Sequence, residues 1–476
     1  MKRLFLLGLL SLFIFTLRAN DEVVLIGQLN EIAIKEVVLE TKAASAVDEP
    51  ERKVIQVKDD RTFKLKLMLP PSQQFELKIG MLSLPLYLEP SDSLIISLKN
   101  IDDRLAVKYE GKGSANNTFL FQYSLFEKKL AFGDLERALQ RKNGIAYWEA
   151  VQKLTKMKQG FFEQYVERSK KPLSDEFRSF MDNQISYKQA DWLLIFHNQY
   201  RSLIELKFVK MPTEYSSYLK GLTLAHDEAI TSSSYQSALL NWVNFKNTGS
   251  YGSFIEEQLQ QFADRYKIAG ENLSGISEHY TKYAILKELL KADFLYAAYE
   301  YEDFLKSDAP QFLKDALIQI HKIKSMKLDG LPMPDLKLLD QSGNRKNLSD
   351  FKGQIQYLCL WKNDENTEKE LSTYFRLFGK KVREDSLVQF QLIYTAKNPN
   401  VWLQVLKKQQ RDLDYLNHYM LDITDEMTRK FVLRTDDYGP LFILVDKEGT
   451  VVKDNAGMSY EFNPNSKIRK LLKADQ

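Results

Sequence analysis

The sequence predicts a multidomain α+β protein: an N-terminal β-sandwich, an α-helical middle and a C-terminal α/β domain. Three observations carry that reading. Short apolar runs of period two fill residues 21–114, apolar residues three and four apart fill residues 115–328, and from residue 329 nearly continuous apolar runs alternate with helical ones. At 476 residues the chain is too long for one ordinary domain. Its 44% hydrophobic and 12% aromatic content is enough for several cores and excludes wholesale disorder.

Residues 1–20 stand apart from these three segments. Lys2 and Arg3 precede an apolar run from Leu4 to Leu17, and Ala19 offers a small residue for cleavage. These are the three parts of a secretory signal peptide. The run is shorter than the ~20 residues a membrane-spanning helix needs, so no permanent membrane anchor is expected. No cysteine follows it, which argues against a lipoprotein anchor. The expected location is outside the cytoplasm, in the periplasm. The whole chain has 67 Lys and Arg against 64 Asp and Glu; residues 1–20 hold Lys2, Arg3 and Arg18 and no acid, so the remainder is formally neutral. Overall charge therefore gives no reason to expect nucleic acid as a partner.

The first segment reads as strands at 23–29, 36–42, 63–69, 75–80, 85–90 and 93–99, separated by turn residues such as Pro70-Pro71 and Pro90-Ser91-Asp92. Phe63, Leu65, Leu67 and Leu69 share one face, and the whole series suggests an antiparallel sandwich. After Gly111 and Gly113 the spacing becomes helical, with long stretches at 146–171, 175–203 and 280–305. Trp148, Trp192 and Trp242 fall at helical spacing, where core packing is the default role. No period is regular enough to name a repeat.

In the last segment, residues 354–361 form a nearly continuous apolar strand, as a buried parallel or mixed-sheet strand requires. A helix is expected over 367–382, a strand over 386–396, helices near 402–409 and 426–433, a hairpin of 440–446 with 450–453, and a last helix over 466–473.

That order, with its motifs, resembles the thioredoxin-like fold of the peroxiredoxin and thiol-disulfide reductase branch. Pro334-Asp335-Leu336-Lys337-Leu338 with Asp340 and Gly343 is similar to the branch's opening. So is Leu348-Ser349-Asp350-Phe351-Lys352-Gly353, and Tyr357-Leu358-Cys359-Leu360-Trp361 corresponds to its strand ending in Phe-Trp. Gly439-Pro440 followed by Leu441-Phe442-Ile443-Leu444-Val445-Asp446 resembles its proline-led strand. Leu88-Glu89-Pro90-Ser91-Asp92-Ser93 and residues 109–117 look like the β-domain that precedes such domains in exported proteins of Bacteroidetes-type bacteria. The resemblance implies thiol-disulfide exchange by a Cys-x-x-Cys at a helix N-terminus, and extended polypeptide bound beside the proline that Pro440 matches.

The chemistry departs from the pattern. Where the resemblance places the two cysteines, this chain has Glu365 and Glu368, and its one cysteine is Cys359. A dithiol reaction needs a stabilised thiolate and a second thiol to resolve the mixed disulfide. Carboxylates accept the same positive helix end without exchanging disulfides. Catalytic residues and a cofactor are therefore not expected, and neither is a metal site. Glu365 and Glu368 read as first-turn helix carboxylates, with Thr367-Glu368-Lys369-Glu370 as a capping box. Cys359 reads as a small buried hydrophobe within its strand. The histidines His197, His226, His279, His321 and His418 lack metal-ligand spacing, and phosphate-loop and serine-hydrolase motifs are absent.

The function expected is a non-catalytic one, the binding or scaffolding of extended polypeptide or envelope proteins. Its surface would be Trp361, Glu365, Glu368, Gly439 and Pro440. The alternatives are a redox accessory using Cys359 with a partner's thiol, or a carboxylate and metal activity at Glu365 and Glu368.

Overall fold

The computed structural model describes residues 22–30, 34–41, 52–69, 72–80, 82–101, 104–222, 224, 226–252, 254–361, 388–395, 402–403, 417–432, 434 and 441–454. Residues 1–20, the helices expected at 367–382 and 466–473 and all but residues 402–403 of the one expected near 402–409 lie outside the described residues. The chain forms two compact units, one of residues 1–248 with 268–281 and the other of 249–267 with 282–476.

The first unit begins with strands β1 (Glu22–Leu29), β2 (Glu36–Thr41), β3 (Arg52–Gln56) and β4 (Thr62–Met68). Strands β5 (Gln73–Ile79), β6 (Leu82–Leu88), β7 (Ser93–Ile101) and β8 (Arg104–Lys112) follow. They make two four-stranded sheets, ordered β4-β1-β7-β8 and β3-β2-β5-β6. Alternation puts Val23 and Leu25 of β1, Phe63 and Leu67 of β4, and Leu94 and Ile96 of β7 into the same buried cluster as Val37, Leu77 and Leu84 of the other sheet. Gly27 lies opposite Phe63 in the β1–β4 register, and a Cβ there would stand 1.8 Å from the Phe63 ring. Only a glycine leaves that ring its place.

The arrangement is not wholly antiparallel as expected: β1 and β7 pair in parallel, Val24 opposite Ser93 through Leu29 opposite Leu98. A parallel pair needs a long connection between its strands, and the excursion through β2–β6 supplies it. Strands β3 and β8 were not anticipated. RKVIQ is too polar to alternate visibly, and only Ile55 of it reaches the core.

Helices α1 (Ser114–Lys129), α2 (Gly133–Gln140), α3 (Gly144–Arg168), α4 (Asp175–Glu205), α5 (Thr213–Lys220) and α6 (Ser233–Lys246) follow. α1 is bound to the sheet edge by a side chain that imitates a strand. Asn117 accepts from Tyr87 N–H and donates to Tyr87 C=O, each at 2.8 Å, filling the open side of β6. On the same strand the Tyr87 ring packs 5.0 Å from Phe177 and 4.7 Å from Phe180 of α4. Phe119, one turn into α1, touches Tyr123, Phe161, Phe162, Tyr165 and Phe177.

α7 (Ile255–Asn272) and α8 (Gly275–Ala292) each contribute to both units. The helical stretch read over 280–305 holds two helices: α8 ends at Ala292 and α9 spans Ala298–Lys306. Asp293 causes the break, its Oδ1 accepting from the N–H groups of Leu295 and Tyr296, both at 2.9 Å. Such a local side-chain bond competes with helical pairing. α10 (Gln311–Lys324) leads to the C-terminal sheet.

That sheet holds β9 (Lys337–Leu339), β10 (Arg345–Asn347), β11 (Ile355–Trp361), β12 (Val388–Tyr394), β13 (Asn417–Leu421), β14 (Leu441–Val445) and β15 (Val451–Asp454). Its order is β10-β9-β13-β12-β11-β14-β15, with helix α11 (Glu426–Val432) between β13 and β14 in sequence. β11 lies parallel to β12 and antiparallel to β14, which pairs with β15. This is the thioredoxin-like arrangement, extended on one side by β13 and the β9–β10 hairpin. Leu358 and Leu360 face a cluster with Leu336, Ile393, Leu421 and Phe431.

Candidate functional site

The site that the sequence points to is the C-terminal end of β11. All seven residues of this strand are buried between flanking β12 and β14; six are apolar or aromatic, and the Nε2 of Gln356 donates to Phe351 C=O at 2.9 Å. Alternation sends Tyr357, Cys359 and Trp361 to one face. Around them Tyr357 packs 5.1 Å from Phe390 and 5.6 Å from Phe442, and Trp361 stands edge-on to Tyr394 at 5.2 Å. The strand end is tied down by Thr395, whose N–H and Oγ1 both donate to Trp361 C=O, at 2.9 and 3.0 Å.

Cys359 sits in mid-strand, opposite Leu392 on one side and Phe442 on the other, with 0% of its surface exposed. Burial in this apolar setting pushes its thiol well above the usual cysteine range. The nucleophile in disulfide exchange is the thiolate, the form that this burial disfavours. Trp361, placed by the sequence at a binding edge, is 2% exposed. Glu365, Glu368, Gly439 and Pro440 lie outside the described residues, as does the capping box at 367–370.

Among the described residues no group of three His, Cys, Asp or Glu side chains is placed to hold a metal. Two of the histidines that the sequence left unassigned, His226 and His321, lie against aromatic rings. His226 Nδ1 meets Tyr187 Oη at 3.1 Å, and His321 stacks on Tyr301 at 4.4 Å. The tryptophans pack likewise, Trp148 against Tyr215 and Tyr218, Trp192 beneath Lys158 and Trp242 beneath Lys246. No described helix is long and apolar enough to cross a membrane.

His197, on α4, lies against Phe245 and Tyr215, and among the described residues its Nδ1 has no hydrogen-bond partner. Burial first, and then the Arg201 charge, bring it down from 6.5 to about 4. Below pH 6.5 the unfolded chain then binds more protons than the folded one, so stability falls as pH drops from about 6.5 towards 4. Urea midpoints at pH 7 and pH 5 test this. The native chain is expected to lose about 1 kcal/mol more than His197→Phe over that interval, the value being reduced for solvent screening. Equal losses would remove His197 as the cause.

No protein-family model and no curated protein matches the chain. Solved structures do. A thioredoxin domain of a thiol-disulfide oxidoreductase from Bacteroides vulgatus is 22% identical, the match covering 27% of this chain and 89% of that one at a TM-score of 0.24. A putative thiol-disulfide oxidoreductase from the same species is 29% identical over 32% of this chain and 98% of that one, with a TM-score of 0.25. A domain of a possible thiol-disulfide isomerase from Cytophaga hutchinsonii is 16% identical over 32% and 99%, with a TM-score of 0.27. The similarity reaches about a third of the chain. The thioredoxin-like class of the last domain stands on its own strand order.

Proposed function

We propose that this chain is an exported protein of the cell envelope whose thioredoxin-like domain is redox-inactive and serves to bind extended polypeptide. One observation carries the reading: the sequence contains a single cysteine, and that residue is enclosed at the centre of the sheet. Disulfide exchange by one protein needs an attacking and a resolving thiol. The proposed binding surface is Glu365 and Glu368, which follow β11 in sequence, with Gly439 and Pro440, which precede β14. Export rests on the signal-like segment of residues 1–20.

Two measurements test the proposal. In the purified full chain, iodoacetamide is expected to modify Cys359 only after addition of denaturant, and insulin reduction is expected to be the same for the native chain and Cys359→Ser. Rapid native alkylation together with Cys359-dependent turnover would overturn the redox-inactive reading. Binding of a permanently unfolded, carboxymethylated polypeptide is expected to weaken in the Glu365→Lys, Glu368→Lys double variant. An unchanged affinity would remove the proposed surface.

A further inference from the structure

Two carboxyl groups with no role at the β11 site lie on the turn between β6 and β7, where the sandwich meets the helices of the first unit. Asp92 is 1% exposed. Its Oδ2 accepts from Glu89 N–H at 2.9 Å, and among the described residues its Oδ1 has no hydrogen-bond partner. The carboxyl packs against Gly113, the residue that caps α1, where φ is +88° and a Cβ would stand 2.5 Å from Asp92 Oδ2. Glu89, half-buried, reaches the other way. Its Oε1 accepts from Ser174 Oγ and, at 3.2 Å, from Asn116 Nδ2. Ser174 caps α4 by accepting from Phe177 N–H at 3.1 Å, and its own N–H donates to Asn116 Oδ1 at 3.1 Å. The two carboxyls thus tie one turn of the sandwich to the first turns of both α1 and α4.

The charges around the pair are unequal. Glu176, in the first turn of α4, adds a third carboxylate, and Tyr87 of β6 a buried phenol. Lys112 of β8 is the cation that acts on them, its Nζ donating to Pro90 C=O at 3.3 Å and to Ser91 Oγ. The positive ends of α1 and α4 admit an anion at each position. Burial first, and then the Asp92 and Glu176 charges, raise Glu89 above the ordinary carboxylate value. Burial first, with a smaller contribution from Glu176, raises Asp92 as well. Ser174, the Glu89 N–H and Lys112 oppose these shifts without reversing them. Between the ordinary and the raised values the folded chain binds more protons than the unfolded one. The junction therefore gains stability as pH falls through that interval and loses it as pH rises, the opposite sign to His197.

We infer that Glu89 and Asp92 form a proton-operated latch between the β-sandwich and the helices, tightened when the pair takes up a proton and loosened when both carboxyls are ionised. With one carboxyl neutral the repulsion within the pair is gone, while the accepting oxygens keep their donors. Asn117, next to Asn116 in α1, fills the edge of β6, so the latch governs how firmly that edge is covered. The inference is independent of the redox-inactive reading, since no residue of the β11 site takes part.

Hydrogen exchange of the full chain at pH 7 and pH 5, corrected for intrinsic rates, tests it. Peptides from β6, the 89–92 turn and the first turns of α1 and α4 are expected to gain about threefold or more in protection at pH 5, relative to peptides from β1 and β4 of the same unit. The Glu89→Gln, Asp92→Asn double variant keeps the accepting oxygens and removes the charge. At pH 7 it is expected to show the relative protection that the native chain reaches at pH 5, with no further gain on acidification. Glu110→Gln, at an exposed position on β8, is expected to respond as the native chain does. Should the double variant fail to fold, Glu89→Gln alone is expected to remove about half of the response or more. A native junction that gains no relative protection at pH 5, or a Glu89→Gln chain with the full native response, would overturn the inference.

Discussion

Trp361→Ala is expected to destabilise the C-terminal sheet by about 3–5 kcal/mol, the usual cost of emptying a buried aromatic site. The ring is 2% exposed and lies edge-on to Tyr394, which is itself 1% exposed, so the neighbouring side chains have no solvent-filled space from which to collapse. Urea titration read by hydrogen exchange of peptides from β11 and β12 measures the loss where it occurs, with peptides from β1–β8 as the internal reference. A loss confined to β11 and β12 identifies the indole as a packing element that orients the strand end. A variant of unchanged stability that no longer retains unfolded polypeptide would instead make the indole a contact residue. The distinction matters because the same tryptophan was chosen from the sequence for a binding role.

Phe119→Ala is expected to cost a similar amount, about 3–5 kcal/mol, and to affect a wider region. Its ring is fully buried and joins α1 to residues of α3 and α4, while Phe177 in turn meets Tyr87 on β6. Removing it opens a cavity at the junction of sheet and helices, so amides of β6, α3 and α4 are expected to lose protection together. Phe312→Ala provides the comparison: that ring is 66% exposed, and its loss is expected to change stability by about 0.5 kcal/mol or less. Equal effects from the two variants would contradict the packing assigned to Phe119.

Much of the architecture was legible where local pattern and burial coincide. Leu25, Phe63, Leu77 and Leu94 point into one core because period two allows no other placement of their side chains. The strand at 355–361 announced itself by a nearly continuous apolar run, interrupted only by Gln356. The short strands β9, β10 and β13 did not. RKN and NHYML carry little apolar signal, and they are strands because a neighbouring backbone supplies their hydrogen bonds. At 280–305 the apolar spacing ran on across Asp293, whose side chain diverts two backbone donors and ends the helix.

By itself the amino-acid order determined that the chain carries one cysteine, since counting thiols requires no coordinates, and it determined which faces of its longer strands turn inward, since side-chain direction follows from backbone geometry. Tertiary structure alone decided the parallel pairing of β1 with β7, the closure of the β6 edge by Asn117 and the buried pairing of Arg434 with Asp454. Each of these depends on residues far apart along the chain, and their meeting is set by the packing of whole elements rather than by any preference local to them.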